Sequence, residues 1–322
     1  MVSSIFFHGG DNKYFVFAAE KFRKILKNFL EGAFLMKKRP ARVAAIHDLS
    51  GFGRCSLAVI LPVLSAMGVQ TCPVPTAVLS AHTGGLGDPV FRDLTDYIEP
   101  ALRHYKSLGI DFEAVYTGFL GSGEQVDCCL DFFKEYPAAL KIVDPVMGDN
   151  GKPYRICTPN LQKRMRELAA AADIITPNIT EAAMLLGESY PSAPLTRSEA
   201  KSMLLRLSQI GPRMVVITGA ELAEGGLSAL GYDGENGSFW YVPCEYVPVH
   251  YPGCGDIYAS VLIGAELSGA SLPLAMARAA AFSELCVKTT YSYGSDPRYG
   301  VMLESVLGSL IKNESSGNFR TL

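Results

Sequence analysis

The sequence predicts an α/β fold, a three-layer sandwich in which helices cover both faces of a mainly parallel central sheet. From residue 43 onward, short apolar or β-branched runs alternate with helical stretches, the pattern of parallel strands joined by crossover helices. After Thr218 the order changes, and residues 226–232 and 237–242 flank Asp233-Gly234, which predicts an antiparallel edge hairpin. The predicted parallel strands are residues 43–47, 72–78, 114–117, 141–143, 173–176 and 214–218.

The predicted helices have apolar residues three and four positions apart, which places those residues on one face. They span residues 55–67, 88–107, 124–136, 159–172, 181–187, 196–210, 256–267, 273–290 and 301–311. Residues 313–322 lack this periodicity and are predicted to be a frayed tail. We therefore expect residues 36–322 to form a single domain.

The composition argues against several classes of protein. The 322 residues carry 29 Lys and Arg against 32 Asp and Glu, so we expect no basic surface for nucleic acid. No run of about 18 uncharged apolar residues occurs, and we expect no association with a membrane through a spanning helix. The eight cysteines show no paired C-x-x-C spacing, which predicts reduced thiols in a cytoplasmic protein.

The first 35 residues differ from the rest of the chain. Residues 15–35 alternate aromatic and basic side chains in a roughly helical pattern, as in a membrane-surface or partner helix. Met36-Lys37-Lys38-Arg39 leads directly into the first strand, as at the start of many cytosolic α/β proteins. We therefore interpret residues 1–35 as an N-terminal extension, either disordered or a misassigned start. Asp11 and Glu20 argue against an organelle transit peptide.

Glycines and polar residues follow nearly every predicted strand. In open parallel sheets, ligands bind beyond the carboxyl ends of the strands. The segments found there are residues 47–53, 79–85, 118–122, 144–149, 176–181 and 218–219. We therefore expect the functional site at this edge of the sheet.

The turn Gly253-Cys254-Gly255-Asp256 begins a long apolar helix. Glycines there expose backbone N–H groups at the positive end of a helix, which makes an anion site. A carboxylate beside such a site is suited to accepting a proton from a hydroxyl that attacks a phosphate. The turn thus predicts phosphoryl transfer with Asp256 as the base, and the alternative for Asp256 is a plain helix N-cap. The Cys254 thiol leaves open a reaction with an aldehyde substrate.

Three acids, Asp144, Asp149 and Glu181, follow strands at this edge without an obvious basic partner in sequence. A Mg²⁺ ion between them and a phosphate would account for their like charge, because magnesium takes oxygen ligands and keeps several waters. Asn178 can hold a metal-bound water or a phosphate oxygen. Turn and helix-capping roles are the alternatives for Asp149, Asn178 and Glu181.

A second group of residues at this edge predicts contacts to a heteroaromatic substrate. His82 and Thr83 lie in a polar loop before two glycines, and an imidazole with a hydroxyl can hydrogen-bond such a ring. Ser80 begins the segment 80–88, the candidate cover that excludes water. Asp48 and Phe119 follow the first and third strands and supply one polar contact and one aromatic wall. A structural histidine and core packing are the alternatives for His82 and Phe119.

Five motifs occur in an order and spacing typical of one enzyme family. They are Val-Leu-Ser-Ala-His-Thr (78–83), Thr-Gly-Phe-Leu-Gly-Ser (117–122), Asp-Pro-Val-Met-Gly-Asp (144–149), Thr-Pro-Asn-Ile-Thr-Glu (176–181) and Gly-Cys-Gly-Asp (253–256). Together they resemble the vitamin B6 (pyridoxal/pyridoxamine) kinases of the ribokinase-like superfamily, from about residue 42 to about residue 312. The resemblance implies a ribokinase-like fold, ATP with Mg²⁺, and a homodimer, and leaves a monovalent cation open.

The resemblance also implies roles for individual residues. Asp256 would be the catalytic base and Gly253, Cys254 and Gly255 the anion hole. Thr83, with His82 beside it, resembles the pyridine-binding pair. The residues placed around Mg-ATP and on the nucleotide side are Asp144, Asp149, Asn178, Glu181, Thr218 and Gly219.

The implied reaction is ATP-dependent phosphorylation of the 5′-hydroxymethyl group of pyridoxal, pyridoxamine or pyridoxine. Family members usually have Ser at Asp48, Tyr at Phe119 and Thr at Cys254. These departures leave open a hydroxymethylpyrimidine kinase of thiamine synthesis as the alternative enzyme. A vitamer- or nucleotide-binding protein is the non-catalytic alternative, although a mere binder does not need the carboxylate of Asp256.

Overall fold

The computed structural model describes residues 39–311 and 318–322, and the predicted extension, residues 1–35, lies outside them. The described strands are β1 (Arg42–Phe52), β2 (Gln70–Ala81), β3 (Phe91–Asp93), β4 (Ala114–Thr117), β5 (Leu140–Val143), β6 (Gly148–Asp149), β7 (Lys152–Pro153), β8 (Ile174–Ile175), β9 (Met214–Leu222), β10 (Gly226–Asp233), β11 (Ser238–Pro243) and β12 (Arg320–Thr321). The described α-helices are α1 (Leu57–Ala66), α2 (Thr95–Ser107), α3 (Gly123–Glu135), α4 (Pro159–Ala170), α5 (Ile179–Leu186), α6 (Arg197–Ser208), α7 (Cys254–Leu267) and α8 (Leu272–Tyr293).

Ten strands form one mixed sheet in the order β12-β11-β10-β9-β8-β5-β4-β1-β2-β3. Its six middle strands, from β9 to β2, are parallel to one another. The strand pairs beyond them are antiparallel, including the hairpin of β10 and β11. Strands β6 and β7 form a separate short hairpin. The predicted α/β class with an antiparallel hairpin near one edge is therefore confirmed.

Two apolar layers, one on each face of the sheet, bury the strands. Strand β1 contributes to both, because Ala44 and Ile46 pack in one layer while Val43 and Ala45 pack in the other. Helices α2 to α6 cover the first layer, and helices α1, α7 and α8 cover the second. Burial on both faces explains why the central strands are almost continuously apolar. Within the described ranges, no helix is long and apolar enough to span a membrane.

The strands β1 and β2 are longer than predicted and run together past the other parallel strands. Their pairing continues from Leu49 opposite Val78 to Phe52 opposite Ala81. The predicted helix over residues 88–107 is correspondingly wrong in its first turns, since it begins only at Thr95. Residues Phe91–Asp93 pair instead with β2, whose extension offers unpaired backbone groups at the edge of the sheet.

The predicted helix over residues 301–311 is wrong. Val301, Leu303 and Leu310 are buried as the periodicity suggested, but the segment runs as turns and ends in the 3₁₀-helix Leu307–Leu310. The Met302 N–H donates to Oγ1 of Thr290 in α8, at 2.7 Å. A backbone N–H at the start of the segment thus bonds a side chain of another helix. Apolar periodicity alone cannot predict such a hydrogen bond.

The predicted frayed tail is also wrong for residues 318–322. Arg320 and Thr321 form β12 against Tyr241 and Trp240 of β11. The Leu322 N–H donates to the Phe239 carbonyl at 3.1 Å, and the Leu322 side chain is buried. The chain end therefore covers the outer edge of the sheet.

Truncating this last side chain tests the role of the tail. We expect Leu322→Ala to lower the free energy of unfolding by about 1–2 kcal/mol, because it exposes part of an apolar layer. The control Thr321→Ala changes an exposed neighbour and should lie within about 0.5 kcal/mol of wild type. Urea unfolding measures both, and equal stabilities of the two variants would contradict the packing of Leu322.

Candidate active site

The Asp256 carboxylate lies beside the middle of β1, level with the carboxyl end of β4, where the start of α7 meets the start of α1. Its Oδ2 accepts a hydrogen bond from the Ser56 N–H at 2.7 Å, and its Oδ1 is 3.2 Å from Nε2 of His47. The Asp256 side chain is 12% exposed, so it remains reachable from the edge of the sheet. Both carboxylate oxygens are thus oriented by groups from other elements.

The glycine turn before Asp256 is built for close approach of the backbone. Gly253 has a φ of +85°, and a Cβ there would lie 2.0 Å from the Arg54 carbonyl oxygen. Gly255 is exposed, and a Cβ there would meet no heavy atom within 4 Å. The first N–H groups of α7 have no preceding helical carbonyls to bond, so this open space lies beside donors that suit an anion.

The Cys254 thiol in the same turn is not activated. Burial and the nearby Asp256 charge raise its pKa from 9.0 to about 12. The thiolate is the nucleophilic form of cysteine. The arrangement therefore gives Cys254 a packing role at neutral pH, with the backbone N–H groups supplying the chemistry of the turn.

Asp144 and Glu181 form a pair of buried carboxylates. Burial and the Asp256 charge raise the pKa of Asp144 to about 7. Burial and the Asp144 charge raise the pKa of Glu181 well above its usual range. The Met147 N–H donates to Oε1 of Glu181 at 3.1 Å and the Asn178 N–H donates to Oε2 at 2.8 Å. Two acids that disfavour each other's charge suit a dication, and Mg²⁺ needs only one or two carboxylates besides phosphate and water.

The turn weighed above as the alternative for Asp149 is present. Asp149 lies in the β6–β7 hairpin, where its Oδ1 accepts from the Asn150 N–H at 2.8 Å and its Oδ2 from the Asn150 side chain at 3.1 Å. Nε2 of His250 is 3.4 Å from Oδ2. Within residues 39–311 and 318–322, no three His, Cys, Asp or Glu side chains form a metal-binding group. The role of the three predicted acids as Mg²⁺ ligands stays a prediction, with Asp149 bonded within its own turn.

Asn178 holds the start of α5 and the strand beside it. Its Oδ1 accepts from the N–H groups of Thr180 and Glu181, and its Nδ2 donates to the Gly148 carbonyl at 2.9 Å. With the Glu181 side chain this completes a capping box. Thr218 is bridged to Asn178, and Gly219 follows as an exposed residue with a φ of +63°. The predicted nucleotide-side residues thus neighbour one another at the ends of β8 and in β9.

Of the predicted substrate contacts, some side chains form hydrogen bonds within the protein and others are exposed or half-buried. Nε2 of His82 bonds the Arg298 carbonyl at 2.7 Å, and its Nδ1 accepts from the Gly84 N–H at 2.9 Å. Ser80 accepts through Oγ from the Val90 N–H at 2.9 Å. These bonds fix the loop between β2 and β3. Thr83 is exposed and Phe119 is half-buried.

Comparison with known proteins assigns the chain to a family. A family model described as phosphomethylpyrimidine kinase matches residues 61–300. The chain belongs to this family. The pyridoxal kinase PdxY of Granulibacter bethesdensis is 29% identical over 266 residues, which cover 79% of this chain and 91% of that protein.

Two solved structures extend the comparison. A putative phosphomethylpyrimidine kinase from Bacteroides thetaiotaomicron, crystallised with pyridoxal, is 40% identical with a TM-score of 0.84, over 88% of this chain and 100% of that one. The pyridoxal kinase of Lactobacillus plantarum is 31% identical with a TM-score of 0.78, over 85% and 98% of the two chains. The resemblance to the vitamin B6 kinases and the ribokinase-like fold are thereby confirmed.

One side chain that contacts the candidate base has no role among the sequence-based predictions. His47 is the last residue of the first predicted strand, and its imidazole lies between Asp48 and Asp256. The Asp48 carboxylate, predicted as a substrate contact, is buried and accepts from the Ser50 hydroxyl at 3.0 Å. A histidine before an aspartate at a strand end was the available signal, but its partner in α7 is distant in sequence.

The raised pKa of Asp144 predicts how the stability of this protein, free of nucleotide and metal, depends on pH. Because folding raises the pKa of Asp144 from 3.8 to about 7, the folded state binds more protons in that range, and stability falls as pH rises through it. We expect Asp144→Asn to flatten this dependence and to raise the Tm at about pH 8 by about 2 °C or more. Thermal unfolding across the range measures it. The exposed Asp131→Asn is the control, and a slope unchanged by Asp144→Asn would refute the prediction.

Proposed function

We propose that the chain is an ATP-dependent kinase that phosphorylates the 5′-hydroxymethyl group of pyridoxal, pyridoxamine or pyridoxine. The observation that carries this proposal is the Asp256 carboxylate, fixed through both oxygens beside the open N-terminus of α7. A base next to an anion site is what transfer of a phosphoryl group to an alcohol requires. The relatives named pyridoxal kinase and the pyridoxal-bound neighbour support the same ring class.

In the proposed reaction, Asp256 accepts the proton of the substrate hydroxyl as the hydroxyl oxygen attacks the γ-phosphorus of ATP. The bond from that phosphorus to the bridging oxygen breaks, and ADP leaves. The N–H groups of the turn Gly253-Cys254-Gly255 stabilise charge on the phosphoryl group during transfer. Asp144 and Glu181 would hold Mg²⁺, which when bound neutralises charge on the phosphates of ATP. Asn178 keeps Glu181 oriented through the capping box.

On the substrate side, we propose that Phe119 and Thr83 contact the ring. Phe119 offers a half-buried aromatic face at the end of β4, and Thr83 an exposed hydroxyl in the loop. His82 and Ser80 act on substrate through that loop, since their side chains bond Arg298 and Val90. Asp48 is buried and acts on the site through its contact with His47. Thr218 and Gly219 would border the nucleotide.

A hydroxymethylpyrimidine kinase remains the second candidate, favoured by the description of the matching family model. The two functions use the same chemistry on different rings, so the geometry of Asp256 serves both. The comparison of kcat/KM for pyridoxal, pyridoxamine, pyridoxine and hydroxymethylpyrimidine with Mg-ATP separates them. Mass spectrometry identifies the phosphorylated product, and ADP release that requires an added ring compound excludes a non-catalytic binder. Absence of product from every vitamer would overturn the first proposal.

Other features raised by the resemblance stay predictions. They are the homodimer, which the resemblance implies, and a monovalent cation, which it leaves open. The cytoplasmic location predicted from the cysteines, and the roles of residues 1–35 and of the domain of residues 36–322, also stay predictions. Light scattering on the purified full chain tests the homodimer.

A further inference from the structure

A buried imidazole in the middle of β1 joins two carboxylates. His47 is 1% exposed, and its Nε2 lies 3.2 Å from Oδ1 of Asp256. Its Nδ1 lies 3.0 Å from Oδ1 of Asp48, whose Oδ2 accepts from the Ser50 hydroxyl. A chain of contacts thus runs from Ser50 through Asp48 and His47 to the first turn of α7.

We propose that His47 is a positioning residue that fixes the Asp256 carboxylate in its reacting orientation. This inference rests on the proposed function, because it gives His47 a task only if Asp256 is the base. The Ser56 N–H holds Oδ2 of Asp256 at 2.7 Å and His47 holds Oδ1. Two donors from different elements fix the plane of the carboxylate, and its remaining lone pairs stay available to a substrate hydroxyl.

The imidazole itself has little freedom to turn. A Cβ at Gly118 would lie 1.9 Å from Nε2 of His47, so the backbone after β4 packs directly against the ring. The Phe119 N–H lies 3.3 Å from the same nitrogen, and the ring centroids of His47 and Tyr116 are 6.2 Å apart. Because the ring cannot turn, its Nε2 stays at a fixed place relative to β1 and holds Oδ1 of Asp256 there.

His47 is protonated at both ring nitrogens, so that each nitrogen can donate a hydrogen bond. Burial lowers the pKa of His47, but hydrogen bonds and charges of Asp256 and Asp48 outweigh it and raise the pKa from 6.5 to about 10. The Asp48 N–H lies 3.1 Å from Nδ1 and the Phe119 N–H 3.3 Å from Nε2, but the charged ring has no lone pair to accept from either and donates to the two carboxylates instead. The groups that face the imidazole are Asp48, Tyr116 and Asp256, with the Asp144 charge nearby.

Two amide replacements separate positioning from simple occupation of space. His47→Gln places an N–H donor near the position of Nε2, whereas His47→Asn ends about one methylene short of Asp256. We expect His47→Asn to lower kcat about 10- to 100-fold with KM for both substrates within about threefold of wild type. We expect His47→Gln to keep kcat within about fivefold of wild type. His104→Gln, on the exposed end of α2, controls for the substitution itself.

Crystal structures of both variants supply a readout besides activity. The Asp256 carboxylate should move away from its present orientation in His47→Asn and keep it in His47→Gln. Equal kcat values of the two variants, a loss confined to KM, or an unmoved carboxylate in His47→Asn would each overturn the inference. The kinetics are measured on pyridoxal and on hydroxymethylpyrimidine. An inactive wild type on pyridoxal rejects the proposed substrate, while the ratio of the variants on the ring that reacts still decides the role of His47.

Discussion

Asp256→Asn is expected to lower kcat/KM for the vitamer by about 10² to 10⁴, or about 3 to 5 kcal/mol of transition-state stabilisation. The amide keeps the size of the side chain and its contact with the Ser56 N–H, but it cannot accept the proton of the attacking hydroxyl. The loss should therefore fall on kcat, with KM for Mg-ATP within about threefold of wild type. Steady-state kinetics with pyridoxal and Mg-ATP measure it.

The matched control for this change is Asp127→Asn on α3. Asp127 is exposed and pairs with Arg164, far in sequence from the turn that carries Asp256. It should keep wild-type turnover and stability within about 0.5 kcal/mol. If Asp256→Asn turned over like wild type, Asp256 would not be the base and the proposed mechanism would be wrong.

Gly253→Ala is expected to reduce kcat by about 10² to 10³, the range seen when donors to a developing charge are displaced. The added Cβ would lie 2.0 Å from the Arg54 carbonyl, which is backbone and cannot rotate away. Relief of this contact must shift the start of α7, and with it the N–H groups of the turn and the Asp256 carboxylate. A φ of +85° adds a conformational cost of about 1–2 kcal/mol for alanine.

Gly269→Ala separates the steric effect from the conformational one. Gly269 has a φ of +84°, nearly the value at Gly253, but a Cβ there would meet no heavy atom within 4 Å. It should lose about 1 kcal/mol of stability and keep its turnover. Kinetics and thermal unfolding of both variants test the comparison, and equal turnover of the two would show that the approach of Gly253 to Arg54 has no part in catalysis.

Local patterns in the chain were sufficient for the elements that span the sheet. The alternation of apolar runs and amphipathic stretches predicted all six parallel strands. Each of these strands is buried on both faces of the sheet, so its own residues are apolar in an uninterrupted run. The same reasoning wrongly predicted helix at residues 88–94 and 301–311. In the first segment the backbone pairs with β2, and in the second a backbone N–H donates to the Thr290 hydroxyl. These donors are used by residues distant in sequence.

The candidate site shows the same division. The composition of the turn at residues 253–256 predicted an anion site with a carboxylate beside it, since glycines, a helix start and the acid are neighbours in the chain. The sequence could not place His47 against Asp256, nor the Ser56 N–H, which comes from 200 residues away. It also could not decide whether the Asp149 carboxylate accepts from its own turn, because that contact is seen only in the folded chain.

Local patterns along the chain established the α/β class, the edge of the sheet expected to hold the site and the chemical type of each group there. Those properties depend on periodicity, strand ends and turn residues, which are local. Only the tertiary structure decided which of these groups touch, as in the imidazole of His47 held between Asp48 and Asp256. Such contacts depend on strand order and helix packing, which bring together segments that no spacing along the chain relates.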